Sequence, residues 1–150
     1  MTEMLFYHLK GQTAEQVLPA LLQKSLQRGW RVVVQASSDE RIEALDAHLW
    51  TWREDAFLPH GTWRDAEVAE QPIVLTVNEE NPNGAAVRFL IDGATMAGAA
   101  TAYERIVLLF NGDDPDAVET ARARWSEAKA AGVEVTYWQA DERGLWRRQA

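Results

Sequence analysis

Two stretches of this chain follow one order: an apolar run of strand length, an amphipathic stretch closed by glycine, then a second apolar run. The first begins with MLFYHL at residues 4–9. Thr13 is placed to cap a helix, with Gln16 three positions on as in a capping box. Val17, Leu18, Leu21, Leu22 and Leu26 then recur at helical spacing as far as Arg28, and Gly29 stops the helix. WRVVVQ at 30–35 is the second run, rich in β-branched residues. The second stretch runs from RIVLLF at 105–110, through an acid-led helix over 113–131 closed by Gly132, to VEVTYWQ at 133–139. Pro115 near the start of that helix, and Arg122, Arg124 and Lys129 toward its end, suit the helix dipole. Strands alternating with helices predict an α/β fold: three layers, α/β/α, around a mostly parallel sheet of about five to six strands.

The middle of the chain adds a helix capped by Ser37 or Ser38, with Ile42, Leu45, Leu49 and Trp50 on one face. Residues 51–71 lack a period and read as a long connection. PIVLTV at 72–77 and AVRFLI at 86–91 read as strands. The turn between them, NEENPNG at 78–84, is a place for one antiparallel pair. Residues 92–100 read as a loop with a short helical turn into Tyr103. Residues 140–150 read as a loosely docked tail. With 150 residues and no repeat or linker, a single domain over 1–150 is expected.

Several functions are disfavoured at once. The chain has no cysteine, which excludes disulfides, thiolate metal sites and cysteine nucleophiles. His8, His48 and His60 form no metal-ligand spacing, so no metal is expected. No GxGxxG or GxxxxGK[ST] follows a strand, so no nucleotide cofactor is expected, and no serine lies in GxSxG. No catalytic residue stands out. A nucleotide-binding or hydrolytic α/β enzyme remains the alternative, supported only by the strand and helix alternation. No apolar run approaches a bilayer span and no secretory signal opens the sequence, so a cytoplasmic location without membrane contact is expected. The net charge of −8 disfavours direct nucleic-acid binding by the surface as a whole. Residues 122–150 nevertheless carry a net +2, where an acidic ligand could be received.

Seven tryptophans are far above ordinary usage for this length. Trp50 and Trp52 lead into Phe57, Leu58 and Pro59, which together suggest an exposed apolar patch or a packed loop. On the last helix, Ala117, Ala121 and Ala128 form a narrow apolar stripe with Trp125 on one rim. Arg122 and Lys129 fall on the outer side of Trp125, and Arg124 on the opposite rim. An aromatic wall beside two cations suits a peptide end carrying an apolar side chain and a carboxylate. On spacing alone the plainer reading stays open: late basic residues complement the dipole and the tryptophan is core.

FYHL at 6–9, ALDAHLW at 44–50, FLPHG at 57–61, QPIVLT at 71–76, NPNGA at 81–85, ARARW at 121–125 and VTYWQ at 135–139 occur in one order along the chain. In this the chain resembles the chi subunit of bacterial DNA polymerase III. The resemblance implies an α/β adaptor without catalysis of its own, which binds the acidic C-terminal tail of single-stranded DNA-binding protein. It also implies a link to the clamp loader through the psi subunit and, in an alternative assembly, a repair-type helicase, with nucleic acid contacted only indirectly. By the resemblance, the tail-binding residues are Arg122 and Trp125. A basic residue that some members carry after the aromatic is Ser126 here, so Lys129 takes its role. The second partner patch, for psi or the helicase, is implied at Trp50 and Phe57, with Pro59 beside them.

Overall fold

The computed structural model describes residues 2–52, 58–95, 102–141 and 143–150. Its elements in chain order are β1 (Glu3–Leu9), α1 (Ala14–Gln27), β2 (Val32–Gln35), α2 (Asp39–Thr51), β3 (Gly61–Thr62), β4 (Ile73–Thr76), β5 (Val87–Leu90), β6 (Arg105–Asn111), α3 (Pro115–Ala130), β7 (Glu134–Ala140) and β8 (Trp146–Arg148). A single 3₁₀ turn, Val68–Glu70, precedes β4. The strands form one sheet in the order β3-β4-β2-β5-β6-β1-β7-β8. All neighbours pair parallel except β7 and β8.

The capping chemistry is as the sequence predicts. Gln16 N–H donates to Thr13 Oγ1 at 3.2 Å, while Thr13 N–H donates to Gln16 Oε1 at 2.9 Å. Ser38 caps α2 and Asp114 caps α3, with Pro115 in its first turn. Gly29 and Gly132 follow α1 and α3 with φ of 80° and 81°, a conformation that costs side-chain-bearing residues.

Alternation along each strand sorts the core into two layers. Leu5, Tyr7, Val32, Val34, Val87, Phe89 and Val107 face α1 and α2, whose Leu18, Leu22, Leu45 and Leu49 are buried against them. Met4, Phe6, Val33, Val74, Leu90, Ile106 and Leu108 face the other way, toward α3. The three-layer arrangement follows, with α1 and α2 on one face and α3 on the other. Buried parallel strands explain why the central runs read as continuous apolar segments.

Two expectations are corrected. The turn at 78–84 does not join an antiparallel pair. The fully buried β2 inserts between β4 and β5 and pairs with both in parallel, so residues 77–86 must cross back over the sheet. No helix fills this crossover. It is pinned by Asn83, whose Nδ2 donates to the carbonyls of Val32 (3.1 Å) and Gln71 (2.9 Å). The carbonyls of Asn78 and Glu80 are held in turn by the guanidinium of Arg88. Nor is 140–150 a loose tail. It turns back as β8, the antiparallel neighbour of β7, and Trp146 packs on Tyr7 with ring centroids 4.6 Å apart. With β3 it raises the strand count above the five or six legible in the sequence. The segment 92–100 is described only as far as Thr95.

Candidate functional site

The alanine stripe of α3 lets that helix lie close to the sheet. Ala121 and Ala128 are buried and Ala117 is partly so. Trp125, too large for the gap, stands at the rim. Its ring meets Phe6 edge-on at 5.3 Å and Tyr137 at 6.4 Å, and remains partly exposed. Such edge-to-face contacts add about 0.5–1.5 kcal/mol each beyond area burial, enough to fix the indole. Between α3 and the strands a notch of about 340 Å³ remains. Phe6, Phe110, Val118, Ala121, Trp125 and Tyr137 wall it with carbon, and Arg122 stands at its edge. The volume is at the small end of ligand pockets, roughly 300–1,000 Å³.

The cations fall where helical spacing puts them. Arg122 is exposed, and among the described residues no hydrogen bond or ion pair engages its guanidinium. Lys129 Nζ lies 6.0 Å from the centre of the Trp125 ring. Arg124, on the other rim, turns away to Glu127, 3.3 Å distant. Arg122, Trp125 and Lys129 thus stand together on one exposed side of α3.

Strand order supplies a group that sequence reasoning missed. Register places Phe6 beside Tyr137 and His8 beside Phe110. The His8 ring also lines the notch, with Nδ1 hydrogen-bonded to the Tyr137 hydroxyl. Gly112 makes room for it, since a Cβ there would lie 1.8 Å from His8 Nε2. Burial pushes the His8 pKa below the ordinary 6.5, opposed by Asp113 and aided by Lys10. Burial raises the Tyr137 hydroxyl above its usual range, while Arg122 pulls it down. The two therefore meet as a neutral pair near neutral pH. The one sequence signal was the period-two spacing of Phe6 and His8; their meeting with Tyr137 depends on strand order.

The second patch is brought together in part. Trp50 lies at the end of α2 and is 51 % exposed, turned away from the buried face of Ile42, Leu45 and Leu49 that it was expected to share. Its ring packs 4.4 Å from that of His60. His60 is buried, with Nδ1 donating to the Leu58 carbonyl at 2.6 Å and Nε2 lying 2.9 Å from Asp46. Pro59 is partly buried beside them. Phe57 lies outside the described residues.

A third place merits comparison because folds of this class bind ligands there. β1 and β6 are neighbours whose following helices leave on opposite faces, so their C-terminal ends form a topological switch point. The crevice there, about 610 Å³, is lined by four carboxylates, Glu15, Asp92, Asp114 and Asp116, and by two cations, Arg41 and Arg124. Arg41 bridges it, bonded to Asp92 at 2.8 Å and paired with Glu15. Those bonds hold Arg41 charged by raising its pKa further. The surplus of carboxylates opposes a phosphate where helix N-termini would otherwise favour one. Among the described residues, no three His, Asp or Glu side chains converge to hold a metal ion, and no helix is long and apolar enough to cross a membrane.

Residues 1–136 match the family described as DNA polymerase III chi subunit, HolC. The chain belongs to the DNA polymerase III chi subunit family. Two chi-family relatives are similar to it. One, from Rickettsia prowazekii (strain Madrid E) and named "Probable DNA polymerase III subunit chi", is 29 % identical over 65 % of this chain and 59 % of its own length. The other, the DNA polymerase III subunit chi of Pseudomonas aeruginosa, is 30 % identical over 55 % of this chain and 59 % of its own. The chain therefore spans about three fifths of the length of these chi relatives. In three dimensions it resembles the C-terminal domain of the DEAD-box protein Dbp5, with a TM-score of 0.61 at 12 % identity, covering 92 % of this chain and 90 % of that one. At that identity the likeness concerns the α/β fold alone.

Proposed function

We propose that this chi-family protein is a non-catalytic, cytoplasmic adaptor of DNA polymerase III. Its α3 notch receives the acidic C-terminal tail of single-stranded DNA-binding protein and so ties that protein to the clamp loader. The observation that carries the reading is the apolar notch with the unengaged Arg122 guanidinium at its edge. An apolar side chain near the end of the tail enters between Trp125, Phe110 and Tyr137. Arg122 holds a carboxylate in a two-pronged hydrogen bond, and Lys129 adds attraction for acidic residues upstream. The link to psi or to a repair helicase is assigned to Trp50, Phe57 and Pro59. Trp50 sits on α2, across the sheet from α3, so the two partners need not compete. The acidic crevice at the switch point argues against the nucleotide-binding alternative.

Calorimetric titration with a peptide of the acidic tail tests this. Micromolar binding is expected, around −8 kcal/mol, weakening as salt rises. Folded protein that gives no heat at high peptide concentration would remove the proposal.

A further inference from the structure

A second concave surface lies on the opposite face of the sheet, between α1 and the β7–β8 hairpin. It has about 850 Å³ of space and adjoins another groove of about 870 Å³, the two sharing Gly144 and Arg147. Their cations are Lys10, Lys24, Arg28, Arg105, Arg143 and Arg147. Asp141 is the one acidic side chain among the described lining residues, and Glu142 lies outside the described residues. In a chain of net charge −8 this is a marked local reversal of sign. Arg105 is bonded to Glu3 at 2.6 Å and Arg147 to Asp141 at 3.0 Å. The other four cations are exposed.

Rings line the floor between the cations. Tyr7, Trp30, Trp138 and Trp146 all border the first groove. Trp138 stacks on Tyr7 at 25° and turns its indole N–H inward, donating to Thr136 Oγ1 at 2.8 Å. The half-buried ring thus offers its remaining open area rather than a hydrogen bond. The guanidiniums of Arg28 and Arg105 each lie 5.1 Å from the Trp30 ring. Flat guanidinium and indole surfaces interleaved with cations are the chemistry of a stacking platform with a phosphate track. The track runs beside the seven residues of β1, from Arg105 at one end of the sheet to Lys10 at the other, about 23 Å at ~3.3 Å per residue.

We propose that this groove binds single-stranded nucleic acid directly, with bases stacking on Trp138 and Trp146 and phosphates running along Lys24, Arg28, Arg143 and Lys10. The overall charge that disfavours a nucleic-acid surface is concentrated elsewhere, including the switch-point crevice. An acidic peptide is the lesser fit, because rings spaced among the cations match successive bases. The groove and the α3 notch lie on opposite faces, so one chain can hold a strand and a protein tail together.

Fluorescence anisotropy with a labelled oligothymidine, read at low and at moderate salt, tests the proposal on the whole protein. Binding at low salt is expected, with quenching of tryptophan fluorescence. The four cations that make no ion pair among the described residues predict a slope of about −3 for log K against log salt. Replacing both Lys24→Glu and Arg28→Glu should weaken binding at least tenfold. Arg143→Glu with Arg147→Glu provides an independent pair on the hairpin, should the first perturb the end of α1. Saturating tail peptide should not displace the oligonucleotide. Absence of binding at low salt, indifference to both charge-reversed pairs, or displacement by the tail peptide would each overturn it. So would polyglutamate binding the groove as tightly as the oligonucleotide, which would assign it to acidic protein segments.

Discussion

Arg88 and Arg122 lie over the same face of the sheet, one on β5 and one on α3. Arg88 is fully buried. It donates to Gln35 Oε1 through Nε at 3.1 Å and also through its second terminal nitrogen. It also donates to the Tyr103 hydroxyl at 3.0 Å and to the carbonyls of Glu80 and Asn78. All five of its N–H directions have uses. Arg122 is exposed and has no such partner among the described residues. The difference follows from what covers the two halves of this face. Over β1, β6 and β7 the cover is α3, whose alanine stripe leaves a notch at its edge. Over β2, β4 and β5 the described cover is the helix-less crossover 77–86 together with Trp63, Val68 and Tyr103; the crossover's carbonyls cannot satisfy one another, so a cation enters the sheet to hold them. One residue type is an internal strut where acceptors surround it and stands exposed where, among the described residues, none engages it.

Arg88→Ala would leave several buried acceptors unsatisfied and should cost about 3 kcal/mol or more. For a chain of this size, thermal melting should show Tm lower by about 6–12 °C. Arg122→Ala should change stability by less than about 0.5 kcal/mol. Equal losses of Tm for the two variants would break the comparison. In tail-peptide titrations Arg122→Ala should weaken binding about tenfold or more, about 1.4 kcal/mol. Asp114→Ala, which removes the α3 cap, should cost about 1 kcal/mol in a denaturant melt and leave tail affinity unchanged. The smallest effect concerns His8. Its folded pKa is lowered, so the unfolded chain takes up the proton first as pH falls. The stability it contributes is present above pH 6.5 and declines as pH drops through 6.5 toward the folded value. Denaturant melts from pH 7.5 to 5 should show that decline reduced in His8→Asn.

Much of the architecture could be read from the chain because apolar runs and helix caps are local signals. Thr13 with Gln16, Asp114 with Pro115, and the glycines after α1 and α3 all mark ends that the structure keeps. The crossover at 77–86 could not be read, because its NPNG turn is equally good for a hairpin. What decides it is the insertion of β2, a contact distant in sequence. The strand β8 was hidden by its length, three residues among arginines. On the site, helical spacing was enough to group Arg122, Trp125 and Lys129. His8, Phe110 and Tyr137 join them only through the order β6-β1-β7, which no periodicity specifies. Arg88 sits inside a strand-like run, where a charged residue gives no sign of being wholly enclosed.

The central claim is that the α3 notch is where an acidic chain end binds. It is tested most directly by NMR titration of isotopically labelled protein with the tail peptide. The largest shifts should fall on the Trp125 indole and on the backbone amides of Arg122, Phe110 and Tyr137, with Trp138, Trp146 and the crevice around Asp92 unmoved. Shifts centred on the crevice or on the β7–β8 hairpin, with the Trp125 indole unchanged at saturation, would contradict it.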